Sequence, residues 1–272
     1  MNRRTLIVNP NASRVTEERI AEVVARYRPV EVLRTERRGH AIELAREATS
    51  GQVWVLGGDG LVNEVLNGLR SDAVLGIVPA GGSNVVARTI GSGVRRITVG
   101  RVNGRRFAFA AGIGVDSEVV RELETELRYR SGKRASDLTY ARAVAGRLLG
   151  GYEPRLEVAG SGRAGMILVS NNAVFTFGGP VPLRFAPDAR FELGLDFVAP
   201  ERIDAKVLLR LLPRIVLGRG LVGAPGVLSG HDLDRIDVRC DRPLPLEADG
   251  EDLGDVTEAV FEAERDAVAV LV

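Results

Sequence analysis

The chain has 272 residues, 45% hydrophobic and 27% charged, which suits one large or two modest globular units and excludes collagen-like, coiled-coil and wholly disordered proteins. Thirty-seven basic against 36 acidic side chains leave a net charge of +1, so no global field draws it to nucleic acid or a membrane; such an attraction has to be a local patch. A lone Cys240 and two histidines, His40 and His231, exclude a disulfide framework and a zinc cluster. No apolar run approaches the roughly 20 residues that span a bilayer, and MNRRTLIVNP turns polar too soon for a signal peptide, so the expected location is cytoplasmic.

Short β-branched runs at Thr5–Val8, Val30–Leu33, Val53–Leu56 and Val74–Val78 alternate with helical patterns at about Thr16–Tyr27, His40–Thr49, Leu61–Leu69 and Ser83–Ile90. This rhythm predicts a parallel sheet covered on both faces, with ligands at the carboxyl ends of its strands. NPNAS, the Thr35 region, GGDG and PAGGSN stand there and should converge on one edge. From about Thr98 short apolar runs follow closely, at Ile97–Val102, Arg106–Ala110, Arg155–Val158, Met166–Ser170, Leu195–Val198, Ile236–Val238, Val256–Glu262 and Val268–Val272, and predict a mainly antiparallel β region. Helical patterns interrupt it at Ser117–Leu127, Leu138–Leu149 and Ile203–Leu217. The expected division is 1–94 and 95–272, with the boundary near Gly91–Gly93.

Three loops could carry chemistry. In VWVLGGDGLVNEVLNGL a buried strand runs through Gly57, Gly58, Asp59 and Gly60 into a helix bearing Asn63, Glu64 and Asn67. Glycines there allow positive φ and close approach of N–H groups to an anion, and a helix N-terminus adds a favourable dipole. An ordinary turn with Asp59 as N-cap fits the local sequence equally well. If a nucleotide binds, Asp59 would act through Mg²⁺ or by holding loop amides. The second loop, VPAGGSNVVARTIG, carries Gly81, Gly82, Ser83 and Asn84, with a turn capped by Ser83 as the competing reading. No GxxxxGK[ST] or GxGxxG is present, which removes P-loop ATPases and dinucleotide-binding dehydrogenases. In LPLEADGEDLG, Asp249-Gly250 reads locally as a type I′ hairpin with solvated acids; the sharper reading is a carboxylate pair in which one member is a general base.

Other features offer less. Ser92 lies in a glycine turn without a GxSxG elbow, and both histidines read as surface or satisfied groups. IDAKVLLRLLPRIVLG has a strong apolar face with Lys206, Arg210 and Arg214 four apart, which favours core packing over an interfacial helix.

Taken in order, NPNAS, GGDGLVNEVLNGL, PAGGSNVVARTIG, AGIGVDSEVV and PLPLEADGE make the chain resemble the diacylglycerol kinase catalytic-domain family, which includes bacterial soluble lipid kinases and sphingosine kinases. The resemblance implies an α/β N-terminal domain with a parallel sheet, like that of NAD kinases and phosphofructokinases, a mainly antiparallel β-sandwich-like C-terminal domain, and ATP in the cleft between them. By the same resemblance Asn9, Thr35, Gly57, Gly58, Asp59, Gly60, Leu61, Val62, Asn63, Gly81, Gly82, Ser83 and Asn84 are nucleotide contacts. Asp249 is the catalytic base, Glu251 completes an acidic pair, and Asp59 serves a Mg²⁺ ion. Asp116 is similar to a lipid head-group contact, although an N-cap is the stronger reading.

Three departures stand out. Gly82 and Val85 replace a threonine and an aspartate of the family pattern, Leu61 replaces a threonine, and Leu193 stands where a structural-metal aspartate belongs. The last argues against a second Mg²⁺, unless Glu192 and backbone carbonyls compensate. The expected function is ATP-dependent phosphorylation of diacylglycerol or a related lipid alcohol, at the inner face of a membrane and without nucleic acid. The alternatives are a non-catalytic nucleotide- or lipid-binding homologue and an NAD or sugar kinase.

Overall fold

The computed structural model describes residues 3–114, 117–118, 121 and 155–272. Four parallel strands, β1 (Arg4–Val8), β2 (Glu31–Arg34), β3 (Gln52–Gly57) and β4 (Val74–Pro79), lie in the order β2-β1-β3-β4. β1, β3 and β4 are buried almost throughout, as expected of parallel strands covered on two faces. Between them run α1 (Glu17–Tyr27), α2 (His40–Glu47) and α3 (Asp59–Gly68); α4 (Val85–Thr89) follows β4. Thr16 caps α1 by accepting the Arg19 N–H, and Glu17 and Glu18 suit the helix dipole. α2 and α3 approach so closely that a Cβ at Gly68 would stand 2.1 Å from the Ile42 carbonyl oxygen.

The rest of the chain is β-rich: β5 (Val94–Val102), β6 (Arg105–Phe107), β7 (Ala110–Ile113), β8 (Leu156–Val158), β9 (Gly162–Ala164), β10 (Ile167–Ser170), β11 (Val174–Gly178), β12 (Val181–Arg184), β13 (Leu195–Pro200), β14 (Val227–Leu233), β15 (Arg235–Ala248) and β16 (Glu251–Leu271), with α5 (Ala205–Val216) before β14. The described strands form one mixed sheet along the path β14-β13-β10-β7-β15-β16-β4-β3-β1-β2, beside a separate β11-β12 pair. Pairing among β7, β10, β13, β14, β15 and β16 is antiparallel. An α/β parallel half and an antiparallel half are therefore joined through a single strand. The end of β16 pairs in parallel with β4, Ala269 opposite Val74, while the same residues pair antiparallel with β5.

Two sequence expectations change here. The runs Val256–Glu262 and Val268–Val272 are one strand with a register shift between Glu264 and Val268, where Asp266 takes a positive φ of 50° and its carbonyl accepts from the Arg96 guanidinium. Helix α5, read as core-packed, buries Leu211 and Ile215 but leaves Leu209, Leu212 and Val216 in solvent. Asp116 and the helical pattern at Leu138–Leu149 lie outside the described residues, as does most of the one at Ser117–Leu127.

Candidate active site

The four predicted loops do meet at the carboxyl edge of the parallel strands. Asn9 N–H bonds the Leu56 carbonyl, Thr35 N–H the Val8 carbonyl, and Ala80 N–H the Gly57 carbonyl, so each strand end is tied to its neighbour. Asn9 also folds its own loop, its Oδ1 accepting the Asn11 N–H at 3.0 Å.

The two glycine loops touch through their backbones. A Cβ at Gly81 would stand 2.5 Å from the Gly58 Cα, and one at Gly58 would stand 3.1 Å from the Gly81 Cα. Neither glycine has positive φ, so the expectation of left-handed backbone is corrected: close approach is what requires glycine here. Gly57 makes room for Leu61, whose Cδ2 would be 2.7 Å from an added Cβ, whereas Gly82 faces open space. Asn84 sits at φ 48° and closes the second loop on itself, its Oδ1 accepting the Gly81 N–H at 2.9 Å and its Nδ2 donating to the Gly81 carbonyl at 2.8 Å.

Both capping expectations are corrected as well. The N-cap of α3 is Gly58, and Asp59, the first helical residue, sends Oδ1 to the Val86 N–H at 3.3 Å, serving the start of α4. Asn84, and not Ser83, occupies the N-cap position of α4. Asp59 is thus a nearly buried carboxylate at the junction of the two glycine loops and two helix starts.

From far along the chain the Asp249 turn folds against α3. Asp249 and Gly250 have φ of 50° and 78° between the paired Ala248 and Glu251, the type I′ hairpin that the dipeptide predicts. The acid is not solvated, however, and is only 5% exposed. Its Oδ2 accepts from Ala108 N at 2.6 Å and Asn63 Nδ2 at 2.7 Å, and its Oδ1 from Phe109 N at 3.0 Å and Ala110 N at 3.2 Å. Burial outweighs these donors and pushes the carboxyl up to about 6. Asn63 is itself braced by Asn67, whose Nδ2 donates to the Asn63 carbonyl at 2.9 Å and whose Oδ1 accepts the Arg106 N–H at 2.9 Å.

Glu251 does not pair with Asp249 in the hydrogen-bond network. It accepts from Arg38 Nε at 2.9 Å and Arg105 Nη2 at 2.7 Å, and the latter nitrogen also reaches Asn63 Oδ1 at 3.1 Å. Arg38, Arg105 and Glu247 were not singled out from sequence; Glu247 is 1% exposed and accepts the Gly250 N–H at 2.9 Å, bracing the turn. No local pattern marks Arg38 or Arg105, whose partner Glu251 lies across a tertiary contact, whereas Glu247 acts within its own turn.

Elsewhere, Glu192 reaches Arg95 at 3.3 Å on the surface. The buried Asp196 accepts from His231 Nδ1 at 2.9 Å and from the Asp232 N–H at 3.0 Å. The described residues contain no group of three or more His, Cys, Asp or Glu able to hold a metal by themselves.

Comparison with known proteins agrees with this architecture. The diacylglycerol kinase catalytic domain matches residues 3–103, and the YegS C-terminal NAD kinase beta sandwich-like domain matches residues 110–272. The chain is 30% identical over 161 residues to Diacylglycerol kinase of Bacillus subtilis (strain 168), covering 50% of this chain and 53% of that protein. It is 44% identical over 73 residues to Sphingoid long-chain bases kinase 1 of Arabidopsis thaliana, covering 22% of this chain and 10% of that one. The matched segment thus spans about half the length, or less, of these curated relatives. The crystal structure of a diacylglycerol kinase from Bacillus anthracis str. Sterne superposes with a TM-score of 0.71 over 99% of this chain and 96% of that one, at 19% identity, a likeness of fold. The chain belongs to the family that joins a diacylglycerol kinase catalytic domain to a YegS C-terminal NAD kinase beta sandwich-like domain.

Proposed function

We propose that the protein is an ATP-dependent lipid kinase that moves the γ-phosphoryl group of ATP to a hydroxyl of diacylglycerol or a related lipid alcohol, yielding ADP and a phosphatidic-acid-like product. The observation that carries this reading is the meeting of the Gly58 and Gly81 loops at the strand ends, with the start of α3 beside them and the Asp249 hairpin bonded to that helix. The positive end of α3, which opens at Gly58 without a side-chain cap, suits phosphate oxygens. Asn9, Thr35, Ser83 and Asn84 border the same edge, and the open space at Gly82 leaves a side of the cradle accessible.

In this reading the lipid hydroxyl gives its proton to Asp249 as its oxygen bonds the γ-phosphorus and the bond to the β-phosphate oxygen breaks. All four acceptor positions of Asp249 are filled, so the hydroxyl has to displace a donor. The Asn63 amide is the one that can leave, because it is a side chain and also bonds the Arg106 carbonyl at 3.1 Å. A carboxyl near 6 is ionised at neutral pH and more basic than an ordinary aspartate. Arg38 and Arg105, turned on Glu251, bring two cations to the hairpin where charge builds up.

The donor set fits a magnesium ion carried in by the nucleotide, which needs only one or two protein carboxylates, and Asp59 at the loop junction is the acid suited to it. When bound, the ion would neutralise phosphate charge. Peripheral contact with the inner face of a membrane follows from a lipid substrate.

The filled Asp249 shell also favours a second reading, a non-catalytic nucleotide- or lipid-binding homologue in which this acid only holds the fold. ADP release from ATP and Mg²⁺ with dispersed diacylglycerol separates the readings. Turnover that falls at least about 100-fold in Asp249→Asn and Asp59→Asn, with folding intact, supports the kinase. Nucleotide binding without turnover on any lipid supports the homologue, and phosphate transfer to NAD without a lipid effect supports an NAD kinase.

A further inference from the structure

Helix α5 carries two unlike faces. Leu211 and Ile215 are buried in the same core as Val85 and Val86 of α4, the helix that opens from the second glycine loop. Leu209, Leu212 and Val216 are 75%, 48% and 53% exposed, and Leu217 just beyond the helix is 67% exposed. Spacings of three and four residues put 209, 212 and 216 on one stripe. Val181, 44% exposed, opens β12, the strand against which α5 packs. A soluble chain rarely keeps such a concentration of large apolar side chains in water without a use for it.

Cations outnumber acids around the stripe: Glu201 and the capping Asp204 stand at the start of α5, and no further acid follows before Asp232. Residues 205–231 contain no aspartate or glutamate but include Lys206, Arg210, Arg214 and Arg219. Arg210 donates to the Pro225 carbonyl at 2.7 Å, and Arg214 to the Gly220 and Val222 carbonyls at 3.1 Å each. These bonds orient the guanidinium groups without cancelling their charge. Leucines and valines bordered mainly by cations complement the boundary between acyl chains and headgroups of an anionic bilayer. A second copy of the chain on this face would set like charges against each other.

We propose that the outer face of α5, with the start of β12, seats the protein on an anionic lipid bilayer. The choice of a bilayer rests on the lipid-kinase reading; the stripe and its cationic border stand without it. Seated there, the protein would hold the α4 end of the glycine-loop cradle one layer of packing from the surface that supplies its substrate.

The test is co-sedimentation of the full chain with phosphatidylglycerol–phosphatidylcholine vesicles and with phosphatidylcholine vesicles, for wild type, Leu209→Ser/Leu212→Ser and Lys206→Glu, with thermal midpoints as a check on folding. Wild type should partition onto anionic vesicles, less so as salt rises. The double variant should lose at least about tenfold in partitioning, and Lys206→Glu should weaken binding mainly at low salt. Both variants should keep wild-type turnover on a short-chain, monodisperse diacylglycerol. The proposal is overturned if the double variant binds vesicles like wild type, if wild type ignores anionic vesicles, or if wild type is a dimer that the double variant dissociates. Vesicle binding that depends on α5, together with no turnover of the monodisperse lipid, would instead end the kinase reading and leave the docking face standing.

Discussion

Replacing Asp249 with alanine tests whether this acid is the keystone that fixes the hairpin to α3. The change strands the buried N–H groups of Ala108, Phe109 and Ala110, while Asn63 keeps a partner in the Arg106 carbonyl. At about 1–3 kcal/mol for each orphaned donor the gross loss is roughly 3–9 kcal/mol. Against it stands the cost of holding a charge in the interior. A carboxyl raised from 3.8 to about 6 is penalised by about 3 kcal/mol when ionised. The expected net destabilisation at pH 7 is therefore roughly 3 kcal/mol, read from urea unfolding followed by far-UV circular dichroism. The pH dependence has a definite sign. Because the folded-state value is the higher one, the contribution of Asp249 is fully present below about 3.8 and is lost as pH rises through about 6. The gap between wild type and Asp249→Ala should thus widen by up to about 3 kcal/mol between pH 7 and pH 4. A loss smaller than about 1 kcal/mol at pH 7, or a gap that closes toward acid, would refute the keystone argument.

Gly81→Ala should destabilise by about 1–3 kcal/mol and abolish nucleotide protection in thermal shift, because its Cβ meets backbone at Gly58; Gly82→Ala, with nothing within 4 Å, should leave the melting temperature of the unliganded protein unchanged. Asp196 holds the His231 imidazole above its usual range, so the stability of that pair is fully present below pH 6.5 and fades as pH rises through the raised value. His231→Ala should accordingly lower the melting temperature more at pH 6 than at pH 8.5; an equal effect at both would count against the charge pairing. Glu251→Gln loosens both Arg38 and Arg105. It should cost no more than about 1–2 kcal/mol in urea unfolding, while phosphoryl transfer falls more steeply than nucleotide binding.

Hydrophobic periodicity was enough to recover β1 to β4 and α1 to α3 to within two or three residues, because a strand buried on both faces and an amphipathic helix write their burial directly into residue order. The short strands β7, β9, β11 and β12 left no comparable trace. β11 and β12 are largely half-buried and contain Gly178 and Pro182, and Ala110–Ile113 is a small-residue strand whose place comes from pairing with β10 and β15. Pairing between distant segments has no period to read. For α5 the apolar pattern signalled a helix but not which side of it would face water, since leucines stand on both sides.

Order of residues alone determined the alternation of strand and helix, the two glycine loops and the Asp-Gly turn, all set by steric and burial preferences that act within a few neighbours. Tertiary structure decided what those pieces do to one another. Gly58 and Gly81 are glycines because two backbones meet there, Asp59 serves the neighbouring helix, and Asp249 is buried under four N–H groups when its local sequence promised solvent. Whether a carboxylate is a solvated surface group or a raised, caged one depends on the dielectric and the donors around it, and for Asp249 those arrive from residues 63 and 108–110, far away along the chain.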